Sequence, residues 1–145
     1  MKANFQPYCH VPGDAIARNI AHCKTLGLRG VNHYARPKLA VVGSGHSVLN
    51  HAQELRDWAG NIWACGSAFQ WCREEGINAT FFCIDPHPVV AELAIGANRA
   101  ILSTCCDPTV FEQLRNAYDV RVFDLVYNET RSNHGVTTMT AAPEL

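Results

Sequence analysis

The sequence predicts an α/β fold with a mainly parallel sheet of about five strands. Short apolar runs, rich in β-branched and aromatic residues, alternate along the chain with segments of helical periodicity. Glycine, proline and aspartate punctuate the junctions between these segments. This alternation is typical of Rossmann-like three-layer sandwiches, in which helices cover a parallel sheet.

Length and composition limit the classes of protein that the chain can represent. Its 145 residues correspond to about one domain. A hydrophobic content of 48% with 17% charged residues is typical of a soluble globular chain, and the net charge of −1 gives no reason to expect nucleic acid or a membrane as partner. No apolar run is long enough for a membrane span, and residues 1–7 lack a signal-peptide core. A cytoplasmic location is therefore expected.

Residues 1–37 are predicted to form an N-terminal arm and one helix. Apolar residues recur at helical spacing in Ala15–Leu26. Asp14 is a suitable N-cap for this helix, and Gly27 is a suitable residue to end it. Leu28–Pro37, which is polar and contains glycine and proline, is predicted to be a loop.

Residues 38–145 are predicted to form the Rossmann-like domain. The five expected strands are Leu39–Val42, Asn61–Gly66, Ala79–Ile84, Arg99–Ser103 and Val120–Val126. Helices are expected at Val48–Ala59, Ser67–Glu75, Val89–Ala97, Asp107–Ala117 and Val136–Leu145.

A glycine turn follows the first of these strands. Two glycines separated by one residue permit a tight turn and allow a ligand to approach the backbone. Ser47 is predicted to cap the following helix, so that free N–H groups and the helix dipole favour an anion. This pattern predicts a phosphate site, and hence a nucleotide site, although it also fits a tight connection that binds nothing. Its residues are Gly43, Ser44, Gly45, His46 and Ser47.

Further candidates follow the other strands. Ligands of open parallel sheets bind beyond the carboxyl ends of the strands. Gly66 and Ser67 follow the second strand, and Asp85 closes the third. Ser103-Thr104 ends the fourth, so all of these residues are expected at one edge of the sheet. Asp85 is the best candidate for a metal or ribose ligand, the alternative being a capping residue in a turn.

Two common nucleotide motifs are absent. The dinucleotide fingerprint needs a third small residue where Val48 stands, and an acid at the end of the second strand, which instead reads Cys65-Gly66. No Gly-Lys-Ser or Gly-Lys-Thr of a P-loop occurs. These observations argue against an NAD-dependent dehydrogenase and a P-loop NTPase.

The seven cysteines do not predict a disulfide scaffold or a zinc site. Their number is odd, they are scattered among the predicted elements, and no Cys-x-x-Cys occurs. Cys65, Cys72 and Cys83 are expected to fill the core as small apolar residues. Cys105 and Cys106 are expected to be exposed and easily oxidised.

Several weak motifs, taken in order, resemble the archaeal-type 6-hydroxymethyl-dihydropterin pyrophosphokinase-like proteins and the related motility-accessory flagellin glycosyltransferases. The motifs are Val42–Leu49, Glu75-Gly76-Ile77, Phe82–Pro86 and Gly135–Thr138 with Ala141-Ala142. The resemblance covers Lys38 to Leu145. His46 stands where the family has proline, and the chain ends before a further strand of the family, as a shortened relative would.

The resemblance implies a transferase that handles a phosphorylated nucleotide. In the pyrophosphokinase interpretation, ATP and Mg²⁺ bind at the edge of the sheet and a diphosphate passes to a pterin hydroxymethyl group. Asp85 would hold the metal, and Thr137 and Thr138 would offer hydroxyls and amides to an anion, the alternative for the threonines being simple capping. The rival hypotheses are a sialyltransferase-type or flagellin-modifying glycosyltransferase using a nucleotide sugar, and a nucleotide-binding module without catalysis.

The last predicted helix, Val136–Leu145, carries an apolar stripe. No following strand is available to cover it. The helix is therefore expected either to fold back on the sheet or to be covered by a second copy in a homodimer.

Overall fold

The computed structural model describes residues 11–31, 38–125 and 135–136. The helices are α1 Gly13–Thr25, a 3-10 helix His46–His51, α2 Ala52–Arg56, α3 Ala68–Glu74, α4 Val90–Leu93 and α5 Pro108–Gln113. The strands are β1 Arg29–Gly30, β2 Leu39–Val42, β3 Asn61–Cys65, β4 Thr80–Cys83, β5 Arg99–Ser103, β6 Asp119–Leu125 and β7 Gly135–Val136.

The strands form one parallel sheet with helices packed against it. Six strands lie in the order β1-β6-β5-β4-β3-β2, and the two-residue β7 pairs with the end of β6. Every pairing is parallel. The predicted α/β, Rossmann-like class is confirmed, with six strands in the main path rather than five.

From β2 to β6, strands that follow one another in sequence are also neighbours in the sheet. Right-handed crossovers that always step in one direction place their helices on the same face. The main core cluster is consistent with helices on one face of the sheet. It contains at least one buried residue from each described α-helix, together with strand residues from that face. The helical members include Cys23, Leu55, Phe69, Val90 and Val110.

The other face of the sheet holds a smaller, aromatic cluster. Phe82, Ile101 and Phe123 are buried there. The ring of Phe82 stacks on Trp63 at a centroid distance of 5.2 Å and on Phe123 at 5.5 Å. Within the described ranges, no helix contributes a residue to this cluster.

The prediction that Leu28–Pro37 is a loop is wrong at Arg29–Gly30, because these two residues form β1. Arg29 and Gly30 pair with Arg121 and Val122 of β6, and the Val31 amide donates to the Val122 carbonyl at 3.1 Å. Pairing with a long neighbouring strand overrides the weak strand propensity of an Arg-Gly sequence. Residues 32–37 lie outside the described residues.

Two predicted helix caps are wrong, whereas a predicted helix end is confirmed. Pro12, not Asp14, is the N-cap of α1, and Asp14 lies in the first turn, where it pairs with Arg18 at 2.8 Å. Ser47 lies inside the 3-10 helix, whose N-cap is Gly45. Gly27, with φ 61°, follows the end of α1 in the left-handed conformation that glycine favours.

The helix predicted at Val136–Leu145 is wrong at its first residue. Val136 belongs to β7 and pairs with Leu125 of β6. A β-branched residue after glycine suits this extended conformation. Residues 137–145, including Thr137 and Thr138, lie outside the described residues.

Candidate functional site

The candidate residues that follow β2, β3, β4 and β5 lie at one edge of the sheet, because these neighbouring strands are parallel and paired. The order along the edge is the glycine turn Gly43–Ser47, then Gly66–Ser67, then Asp85, then Ser103-Thr104. Neighbouring strands are separated by about 4.8 Å, so the strand ends before the glycine turn and Asp85 lie about 10 Å apart.

The glycine turn presents unused backbone donors. All five residues from Gly43 to Ser47 are exposed. Within the described residues, none of their N–H groups donates a hydrogen bond; the first amide with an acceptor is that of Val48, which donates to the Gly45 carbonyl at 3.1 Å. The turn therefore offers consecutive donors at the start of the 3-10 helix.

Neither glycine of this turn is required by its backbone conformation. Gly45 has φ −70° and ψ 146°, an extended conformation that any residue adopts. Among the described residues, a Cβ atom at Gly43 would meet nothing within 4 Å, and one at Gly45 would lie 3.9 Å from Ser47 Oγ. This part of the chain leaves the space above both glycines open, so a ligand can approach the backbone there.

Gly66 has a conformational reason to be glycine. Its φ is 53°, and its amide donates to the Phe82 carbonyl at 3.5 Å. Ser67, which follows it, is exposed, precedes α3 and makes no side-chain capping hydrogen bond. Gly66 thus shapes the turn after β3, and the Ser67 hydroxyl is available at the edge.

Asp85 has a structural role in a turn and also one unused oxygen. Its Oδ1 accepts from the His87 amide at 2.9 Å, and His87 Nδ1 in turn accepts from the Val89 amide at 3.2 Å. The exposed Asp85 makes no hydrogen bond through Oδ2 in the described part of the chain. Both alternatives for this residue, capping and ligand binding, are therefore compatible with its geometry.

No group of three or more His, Cys, Asp or Glu side chains suited to a metal ion occurs among the described residues. Mg²⁺ in nucleotide sites is commonly held by one or two carboxylates together with phosphate oxygens and water. Asp85 could supply the carboxylate of such a site, since it lies at the edge and its Oδ2 makes no hydrogen bond to a described residue.

The sequence did not identify Asn19 as a residue that hydrogen-bonds to the loops at this edge. Asn19 is buried on α1, and its Nδ2 donates to the Cys105 carbonyl at 3.0 Å and to the Pro86 carbonyl at 3.4 Å. It thereby ties α1 to the loops after β4 and β5. One signal was available: Asn19 stands four residues before Cys23, which places the two on the same face of the helix.

Ser103 and Thr104, at the end of β5, are already engaged within the protein. Ser103 Oγ accepts from the Cys105 amide at 3.2 Å, and Thr104 Oγ1 donates to Asp124 Oδ1 at 2.8 Å. Both residues are buried. They stabilise this end of the edge. The exposed candidate residues are those that follow β2, β3 and β4.

The cysteine pair after β5 is buried, so the expectation of exposed, easily oxidised thiols is wrong. Cys105 is 6% exposed and Cys106 is fully buried, because the loop after β5 turns inward under α5 and α1. A hydrogen bond from Cys106 lowers the pKa of the Cys83 thiol, whereas the same bond and burial raise the pKa of Cys106. Cys72 and Cys83 fill the core as expected, and Cys65 is half-buried.

No protein-family profile, curated protein or solved structure matches this chain. The resemblance to the pyrophosphokinase-like family therefore stays a prediction from the sequence motifs. Across the described ranges, no helix is long and apolar enough to cross a membrane.

Proposed function

We propose that the carboxyl edge of the sheet binds the phosphates of a nucleotide, and that the chain is a nucleotide-binding, transferase-like domain. The observation that carries this proposal is the run of exposed amides from Gly43 to Ser47, which donate no hydrogen bond within the described residues. Backbone N–H groups at such a strand–turn–helix junction are favourable donors to phosphate oxygens.

The surroundings of the turn support a nucleotide rather than a lone anion. Ser67 and Asp85 lie at the next two strand ends, so that a chain of phosphates bound at the turn can extend along the edge. The free oxygen of Asp85 would hold Mg²⁺, which in turn would neutralise the phosphates.

Among transferases, diphosphate transfer from ATP to the hydroxymethyl group of a pterin is the reaction that the sequence resemblance favours. In this reaction the hydroxyl oxygen attacks the β-phosphorus, the bond to the α-phosphate oxygen breaks, and AMP leaves. Phosphoryl chemistry of this kind depends mostly on positioning and on neutralisation of charge. The amides of the turn and a metal at Asp85 would supply both.

A glycosyltransferase that uses a nucleotide sugar is the second candidate, because its nucleotide phosphates would use the same amides. A binding module without catalysis is the third. Incubation with ATP, Mg²⁺ and 6-hydroxymethylpterin substrate, in parallel with CMP-sugars, separates them. AMP release with ATP supports the first, sugar transfer or CMP release supports the second, and saturable binding without turnover supports the third.

The glycine turn is tested by Gly45→Val. Because the backbone of Gly45 is extended and its Cβ position is open, we expect the variant to fold with an unchanged melting temperature. The branched side chain would occupy the space above the amides, so nucleotide affinity measured by calorimetry should fall at least about tenfold.

The matched control for this test is Gly13→Val, which changes an exposed glycine on α1 where a Cβ also meets nothing within 4 Å. It should leave affinity unchanged. Equal nucleotide affinity in folded Gly45→Val and wild-type protein would remove the phosphate site from this turn.

The metal role of Asp85 is tested by Asp85→Asn. Asparagine keeps the oxygen that accepts from the His87 amide, so the thermal stability should change little. The loss of the carboxylate charge should remove the gain in nucleotide affinity that Mg²⁺ provides. Asp57→Asn is the control, since Asp57 is exposed and its side chain accepts a hydrogen bond only from Gln53 among the described residues. A Mg²⁺ effect that persists in Asp85→Asn would restrict Asp85 to its turn.

A further inference from the structure

The opposite, amino edge of the sheet contains a cavity of about 340 Å³. It lies between the end of α3 and the loops that lead into β4, β5 and β6, away from the glycine turn. Buried Phe69 and Ile77 contribute apolar surface to it, and Tyr118, which is 75% exposed, lines it as well. This volume is at the lower end of the range for small-molecule sites.

Two arginines, Arg73 and Arg99, line this cavity, and no acidic residue among those that the structure describes does. Neither guanidinium has a carboxylate within 4.0 Å in the described part of the chain. Two positive charges that share one cavity without a counter-charge favour the binding of an anion.

The nearby carboxylates do not neutralise these arginines. Glu75 pairs with Arg56, and Asp119, which is adjacent to Arg99 in the sheet, bonds to Arg121 at 3.0 Å. Glu74 is exposed and does not line the cavity. Within the described residues, none of these carboxylates forms an ion pair with Arg73 or Arg99.

One terminal nitrogen of each guanidinium donates hydrogen bonds within the described part of the chain. Arg73 Nη1 donates to Gln70 Oε1 at 3.0 Å and to the Ile95 carbonyl at 2.8 Å, while Arg99 Nη2 donates to Asn78 Oδ1 at 2.8 Å. The remaining nitrogens of both forks make no hydrogen bond among the described residues. Pre-positioned guanidinium donors of this kind match phosphate oxygens.

Gly96 allows Arg73 to lie against the backbone of the loop before β5. Its φ is 78°, and a Cβ atom there would be only 2.5 Å from Arg73 Cζ. The amide of Tyr118 donates to the Asn98 carbonyl at 3.1 Å, which ties the loop before β6 to the same loop. Backbone contacts therefore fix the positions of the residues that line the cavity.

We propose that this cavity binds the phosphate group of a small phosphorylated molecule, with Arg73 and Arg99 as the anion-binding residues. A phosphate monoester carries a charge of about −1.5 to −2 at neutral pH, which matches two guanidiniums better than a single carboxylate does. Tyr118, which is 75% exposed, would contact an apolar or aromatic body attached to that phosphate. The proposal does not rest on a nucleotide at the carboxyl edge.

The test is a titration of ¹⁵N-labelled protein with inorganic phosphate, phenyl phosphate and benzoate. We expect saturable shifts of the amides of Gly76, Asn78, Gly96 and Asn98, with phenyl phosphate binding most tightly and benzoate most weakly. The absence of saturable shifts at these amides with either phosphate compound overturns the proposal. Benzoate binding as tightly as phenyl phosphate overturns the assignment to phosphate.

Variants assign the binding to the two arginines. Arg73→Gln and Arg99→Gln should each weaken phenyl phosphate at least about tenfold, since each removes charge-assisted hydrogen bonds. Arg18→Gln, which changes an exposed arginine on α1, should bind like the wild type. If Arg73→Gln fails to fold because its bond to the Ile95 carbonyl is lost, the affinity of Arg99→Gln for phenyl phosphate still tests the proposal. Unchanged affinity in folded Arg99→Gln contradicts the proposal.

Discussion

At the scale of single residues, the thiols of Cys23 and Cys72 are buried core groups with raised pKa values. Burial raises the pKa of both Cys23 and Cys72 to about 11, and Cys72 is fully buried. A thiol whose pKa is higher in the folded protein than in the unfolded chain makes the free energy of unfolding fall at alkaline pH.

The sign of this linkage gives a prediction for Cys72. Above about pH 9 the unfolded chain loses the thiol proton, whereas the folded protein keeps it until about pH 11. The stabilisation is therefore complete below pH 9 and is lost as the pH rises through 11. Cys72→Ala should be less stable at neutral pH, yet its free energy of unfolding should fall less steeply between pH 9 and 11.

Urea denaturation from pH 8 to 11 measures this difference. Because Cys23 remains in both proteins, only the difference between the two pH profiles reports on Cys72. Parallel profiles for the wild type and Cys72→Ala would contradict the raised pKa.

The sequence indicated the residue types at the candidate site but not all of their roles. Gly43 and Asp85 could be singled out because each directly follows an apolar run, and Gly45 because it forms a Gly-x-Gly pair with Gly43. The hydrogen bonds from Asn19 to the loops after β4 and β5 could not, because they join residues 67 and 86 positions apart. Burial of Cys105 and Cys106 likewise depends on how those loops pack against α1 and α5.

At the scale of secondary structure, long apolar runs were predictable and short elements were not. All strands from β2 to β6 lie within or close to the predicted ranges, because each contains a run or an alternation of β-branched and aromatic residues that favours a strand. β1 is only two residues long and is a strand because β6 pairs with it.

The junction of β2 and β3 offers a test at this scale. Gly60 lies so close to the start of β2 that a Cβ atom there would be 2.8 Å from the carbonyl carbon of Lys38. The Lys38 carbonyl also accepts from the Asn61 amide at 2.8 Å, so it cannot move without loss of that bond. Gly60→Ala should therefore destabilise the protein by about 2 kcal/mol or more.

Gly13→Ala is the matched control, since its Cβ meets open space in α1. It should be neutral or stabilising by up to about 1 kcal/mol, because alanine favours a helix over glycine. Urea midpoints compare the two variants, and equal effects of both would contradict the close approach of Gly60 to β2.

At the scale of the whole molecule, the order of the strands determines which residues meet. Because β2 to β6 follow one another across the sheet, the carboxyl edge gathers the turns that follow the strands, and the amino edge gathers the loops that precede them. The exposed amides of Gly43 to Ser47 lie at the first edge, and Arg73 and Arg99, which form no ion pair within the described residues, lie at the second. The sequence predicted the first of these sites from its glycines. It did not predict the second, because Arg73 and Arg99 are isolated in sequence and only the fold brings them to one cavity.

The central claim, that the carboxyl edge binds a nucleotide, is tested most directly by mapping where ATP binds. Amide shifts of ¹⁵N-labelled protein titrated with ATP and Mg²⁺ distinguish the two edges within one experiment. We predict saturable shifts at Gly43 to Ser47, with smaller ones at Ser67 and Asp85. Absence of saturable shifts at these residues, or shifts confined to Gly76, Gly96 and Arg99 at the opposite edge, would contradict the claim.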